Sequence, residues 1–122
     1  MIDQMIASGS FPPVLLIFGA SDLMVEEAAR RLYDAAAALD TTGMNTDVLD
    51  GEDTSIDTIV SLAKSYPMMS DRRVIWVRRF DKVAVRKDKQ GRDPMSAYLR
   101  DPSTSTLLLL TASIEAADGI SA

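Results

Sequence analysis

Two stretches of this chain, Val14-Leu15-Leu16-Ile17-Phe18 and Leu107-Leu108-Leu109-Leu110, are apolar at every position, and a strand without a polar face has to be covered on both sides. Between them apolar residues recur with helical spacing. After Gly19, Val25, Ala28, Ala29, Leu32, Ala36 and Leu39 form one stripe, with Ser21 or Asp22 as the cap and Glu26 and Glu27 at the positive helix end. Glu26 with Arg30 and Glu27 with Arg31 add pairs four residues apart. Thr46-Asp47-Val48-Leu49 is a short strand stopped by Asp50-Gly51. Thr54 or Ser55 then opens a helix with Ile56, Ile59, Val60 and Ala63 on one face, which Pro67 cannot continue. Val74 to Val77 is a third strand, Met95 to Arg100 a short helix ended by Pro102, and Thr106 to Thr111 the fourth strand. Ahead of all this, Ile2, Met5 and Ile6 have helical spacing in a lead-in closed by Pro13. Strands alternating with helices define an α/β fold with a parallel sheet flanked by helices, in which the first and fourth strands are expected to be buried on both faces.

A length of 122 residues suits one domain, and no later helix follows the fourth strand, so residues 1–122 are expected to be a single N-terminal domain of a longer chain. The chain has no cysteine and no histidine. Thiolate chemistry, disulfides, Cys/His zinc sites and histidine acid-base catalysis are thereby excluded, and a reducing, cytoplasmic setting is expected. No segment has the length or apolarity of a membrane span or signal sequence, so no membrane partner is expected. Residues 72–92 hold nine of the thirteen basic side chains and only two of the eighteen acidic ones. The basic positions Arg78, Arg79, Lys82, Arg86, Lys87, Lys89 and Arg92 read as a mobile or partly helical connection. They could meet a DNA backbone or an acidic partner, or simply be solvated.

The turn after the first strand, Phe18-Gly19-Ala20-Ser21-Asp22, occupies the position where such sheets bind phosphates. It lacks the second glycine, the lysine and the hydroxyl of a phosphate-binding loop, and Asp22, Glu26 and Glu27 would repel a triphosphate. No cofactor is expected. Asp22 as a magnesium ligand of a phospho-receiver fails too, because the third strand runs into Arg78-Arg79 and the fourth into Thr111-Ala112, without the aspartate and lysine such a site needs.

The octapeptide Tyr66-Pro67-Met68-Met69-Ser70-Asp71-Arg72-Arg73 sets two methionines between a helix stop and a strand. Periodicity directs only one of them inward. The other is free to fill an apolar pocket of a partner, while methionine is equally at home as a core gap-filler.

Taken together, Gly19-x-x-Asp22-Leu23 with Glu26, Leu49-Asp50-Gly51, Pro67-Met68-Met69-Ser70-Asp71-Arg72-Arg73-Val74, and Tyr98-Leu99 before Pro102 and Leu107 to Leu110 resemble the N-terminal domain of the delta subunit of bacterial DNA polymerase III, over about residues 11–114. The resemblance implies an AAA+-like parallel sheet, of the P-loop NTPase type but without a functional Walker A. It also implies a non-catalytic role in DNA replication: binding the sliding clamp and helping to open the ring, alongside other clamp-loader subunits and DNA. By position, Pro67, Met68 and Met69 would be the clamp contact and Ser70, Asp71, Arg72 and Arg73 its rim. Many members carry a leucine and phenylalanine type of pair here, so the two methionines keep the apolar character and lose aromatic area. Two other readings stand beside this one: a small nucleotide-binding or hydrolysing domain with an irregular phosphate loop, and a regulatory domain in which both methionines are core.

Overall fold

The computed structural model describes residues 2–40, 42–84 and 93–113. The strands are β1 (Val14–Gly19), β2 (Thr46–Asp50), β3 (Arg73–Arg78) and β4 (Thr106–Ser113), and the helices are α1 (Ile2–Ser8), α2 (Asp22–Ala37), α3 (Ile56–Lys64) and α4 (Pro94–Arg100). All strand pairings are parallel, in the order β1-β4-β3-β2. The chain therefore places its first and last described strands side by side.

Alternation across β3 and β4 divides the core into two layers. Val74, Trp76, Leu107 and Leu109 face Phe11 and the α2 stripe of Ala29, Leu32 and Ala36, with Ile2, Met5 and Ile6 of α1 packed at the margin. Ile75, Val77, Leu108 and Leu110 face Ile56, Ile59, Val60 and Ala63 of α3 and Met95 and Tyr98 of α4. Trp76 is fully buried, with its indole N–H donating to Thr111 Oγ1 at 2.9 Å. The capping signals act locally as their chemistry dictates. Ser21 Oγ accepts from Met24 N–H, Ser55 Oγ from Thr58 N–H and Asp93 Oδ1 from Met95 N–H.

Three expectations are corrected. The double burial expected of β1 is not realised: β1 pairs with β4 alone among the described strands, and Leu16 and Phe18 stay 51% and 56% exposed. Both lie on the face that α3 covers over β3 and β4. The pairs within α2 are also replaced by tertiary partners, Glu26 taking Arg78 and Arg31 taking Asp3. Finally, Leu39 lies beyond the end of α2 and is exposed.

Candidate functional site

α3 ends at Lys64, and Ser65 turns extended with its N–H still donating to the Leu62 carbonyl. Thr106 of β4 donates its hydroxyl to the Ala63 carbonyl at 3.0 Å, which satisfies a buried acceptor of the last helical turn. From there the chain passes Tyr66 and Pro67 into the two methionines. Met68 is 60% exposed and Met69 84% exposed, so neither points inward and the expectation of one buried methionine is corrected. Tyr66 beside them is also exposed.

The backbone under these side chains is held. Met68 N–H donates to Asn45 Oδ1 at 2.6 Å, and Asn45 Nδ2 donates to the Met68 carbonyl at 2.8 Å. Asn45 is itself fully buried and lies just before β2. Asp40 accepts from Asn45 N–H (2.8 Å), from Asn45 Nδ2 (3.2 Å) and from the Thr42 hydroxyl (2.7 Å) and amide (3.2 Å). Burial works to raise the Asp40 carboxyl, but these hydrogen bonds from Thr42 and Asn45 outweigh it and hold the group at about 2. Immediately after the clamped residue, Met69 adopts a φ of 55°. For a residue with a Cβ this left-handed conformation costs about 1 kcal/mol.

The expected rim residues divide. Asp71 is exposed, and Ser70 and Arg72 are partly buried, with the Arg72 guanidinium 5.9 Å from the centre of the Phe11 ring. Arg73 does not stand at the rim. It is buried, 3.4 Å from Asp47 Oδ2, with a long 3.5 Å contact to the Tyr66 carbonyl.

The described part of the basic stretch is turned onto the protein's own acids. Arg78 Nε donates to Glu26 at 2.8 Å, and its guanidinium lies 5.7 Å from the Trp76 ring centre. Arg79, also left-handed with a φ of 53°, pairs with Asp50 and Glu52. The hydrogen bond from Arg79 holds the Asp50 carboxyl below its usual range. A Cβ on Gly51 would come within 1.8 Å of the Arg79 carbonyl oxygen, so only glycine lets the two short 3-10 turns, Gly51–Asp53 and Phe80–Lys82, meet. Lys82 lies 3.9 Å from Asp81. Arg86, Lys87, Lys89 and Arg92 lie outside the described residues.

At the first strand-helix turn Asp22 begins α2 while Ser21 caps it. A Cβ at Gly19 would make an ordinary 3.5 Å contact with Val25. Among the described residues no three acidic side chains gather as a metal site, and no helix is long and apolar enough to cross a membrane.

The most structured feature around the methionines was invisible to motif reading. Asp40, Thr42 and Asn45 lie in the polar connection between α2 and β2 and belong to no motif. Their one sequence signal is a cluster of side chains able to bond backbone groups just before a strand.

The sequence model of the family "DNA polymerase III, delta subunit" matches residues 15–119. The chain belongs to that family. It is 24% identical over 114 residues to DNA polymerase III subunit delta of Bacillus subtilis (strain 168), covering 90% of this chain and 33% of that protein. Among solved structures, a Bacillus subtilis DNA clamp loader delta protein is similar with a TM-score of 0.72 and 22% identity, covering 91% of this chain and 34% of the other. A gamma subunit-related protein of DNA polymerase III from Thermotoga maritima has a TM-score of 0.65 and 17% identity over 92% of this chain and 39% of its own. The chain thus spans about a third of the length of its delta-subunit relatives. The fold, an α/β parallel sheet flanked by helices, is shared with these two solved structures.

Proposed function

We propose that this chain is the clamp-binding domain of a clamp-loader delta subunit acting in DNA replication, and that Met68 and Met69 are its anchor on the sliding clamp. The observation that carries this reading is the presentation of two adjacent, exposed methionines on a backbone held from below. Burying one methionine side chain contributes roughly 1.5 to 3 kcal/mol, so a pair entering an apolar pocket can anchor an interface whose margin is polar. Methionine's flexible chain adapts to the shape of such a pocket. Pro67 limits the entry to the loop, and Ser70, Asp71 and Arg72 form the margin, while Arg73 supports it from inside.

In this reading the domain performs no bond chemistry. Ring opening follows if the domain binds a distorted clamp more tightly than a closed one, since a binder shifts an equilibrium only by its differential affinity. Other clamp-loader subunits are its partners in a cytoplasmic assembly, and DNA is met within that assembly.

The test is binding of the folded chain to the sliding clamp of the same organism. Replacing Met68 and Met69 together by alanine is expected to weaken binding by at least ~2 kcal/mol, about thirtyfold. A folded native chain that does not bind the clamp, or a double variant that binds as well as the native chain, would overturn the assignment.

A further inference from the structure

We propose that Asn45, anchored by Asp40, is the positioning residue of the methionine pair: it locks the Met68 peptide so that both side chains meet the partner already arranged. The inference rests on the reading of Met68 and Met69 as the clamp contact. Its basis is the geometry of one buried amide. Both backbone polar groups of Met68 are satisfied by the same side chain, 23 positions earlier in the chain, through bonds of 2.6 and 2.8 Å. An exposed loop can leave such groups to water. Here they are given to a side chain with no solvent exposure at all.

The orientation of that amide is set by its surroundings. Oδ1 faces an N–H and Nδ2 faces a carbonyl, so a flipped amide would set donor against donor and acceptor against acceptor. The other Nδ2 hydrogen is directed to Asp40, which also accepts from the Asn45 backbone amide. Aspartate at position 45 could not reproduce this, since it has no donor for the Met68 carbonyl and would face the Asp40 carboxylate. The latch therefore needs the amide of asparagine at position 45 and a hydrogen-bond acceptor behind it.

Stability alone does not explain the arrangement. The latch leads directly into the left-handed Met69 and leaves that side chain 84% exposed, so the fold gains no apolar burial from the residue it so carefully places. A partner gains instead. Side chains on a fixed backbone lose less conformational freedom on binding than those on a loose loop.

Hydrogen exchange of the native chain tests the latch without any substitution. The Met68 amide is expected to exchange at least ~100-fold more slowly than an open loop amide. In Asn45→Ala that protection should vanish while the amides of Trp76 and Leu109, inside the sheet, keep theirs. Clamp affinity should then fall about fivefold to tenfold, as expected for loss of pre-organisation with the anchor side chains still present. A native Met68 amide exchanging at the open rate overturns the proposal, whether or not the variant folds. So does an Asn45→Ala chain that loses the loop protection and still binds the clamp as tightly as the native chain. A protected Met68 amide in a native chain that fails to bind the clamp overturns the clamp reading itself, and with it the role given to Asn45, so the two failures are told apart.

Discussion

Before β3, Met68 and Met69 project from a backbone gripped by Asn45; at the end of β3 and just past it, Arg78 and Arg79 fold back onto Glu26, Asp50 and Glu52. The same strand separates a turn that faces outward from a turn that closes on itself. Both contain a non-glycine residue in the left-handed conformation, Met69 in one and Arg79 in the other. In the first turn the strained residue presents an apolar side chain to solvent. In the second it delivers a guanidinium to two carboxylates and lays its carbonyl against Gly51. The difference teaches that prominence in a sequence is no guide to availability. A run of arginines invites a nucleic-acid reading, yet Arg78 and Arg79 have their charges met by the protein itself, whereas Met68 and Met69 stay largely exposed among the described residues.

That contrast is open to direct attack, and the largest effect is expected where the second turn closes. Gly51→Ala forces a methyl group into the Arg79 carbonyl and is expected to destabilise the fold by roughly 3 kcal/mol, read as a lowered denaturation midpoint with an unchanged slope. A midpoint equal to that of the native chain would show that the two 3-10 turns are not in contact. Next in size is the loss of clamp binding by at least ~2 kcal/mol when both methionines become alanine, with thermal stability unaltered because neither side chain is in the core.

Met69→Gly separates the two roles of one residue. Relief of the left-handed strain is expected to leave fold stability unchanged or raise it by up to about 1 kcal/mol, although glycine adds freedom to the unfolded chain, while clamp affinity falls. A strongly destabilised variant would return Met69 to the core.

Acid acts on the first turn through Asp40. Its carboxyl, near 2 in the fold, lies below the ordinary carboxylate value of 3.8, so the folded state binds its proton less readily than the unfolded one. Its contribution is complete above the ordinary value and is lost as pH falls through about 2. Once exchange is corrected for the intrinsic pH dependence of amides, protection at Met68 should decline over that interval. Asp40→Asn should remove this part of the pH dependence. The smallest effect is expected from Arg79→Gln, which breaks exposed ion pairs and should leave clamp affinity within about twofold of the native value. A large loss would mean that the closed turn also touches the partner.

Much of the scaffold was legible because its signals are local. Unbroken apolar runs, helical stripes, Ser55 as a cap and Pro67 as a stop each act over a few residues, and the structure places the corresponding elements where those signals put them. The methionine pair was legible as a pair in an unusual position, but its direction was not. Periodicity assigned one side chain to the interior because it assumes that strand geometry extends back into the turn. The left-handed Met69 breaks that assumption. Likewise Glu26 and Arg30 have the spacing of a helical pair, but Arg78, brought alongside by the sheet, takes the carboxylate.

The sequence by itself determined the alternation of elements, their parallel arrangement and the apolar faces they bury, since each follows from backbone periodicity and the need to cover polar-free strands. Family membership was readable at the same level, from the order and spacing of short segments. Tertiary structure alone decided that β1 lies at an edge of the described strands with Leu16 and Phe18 exposed among the described residues, that Arg73 is inside, and that Asn45 reaches across 23 positions to hold Met68. Those outcomes depend on which segments meet in space. A hydrogen bond or ion pair goes to the nearest suitable group in three dimensions, and the spacing along the chain does not contain that distance.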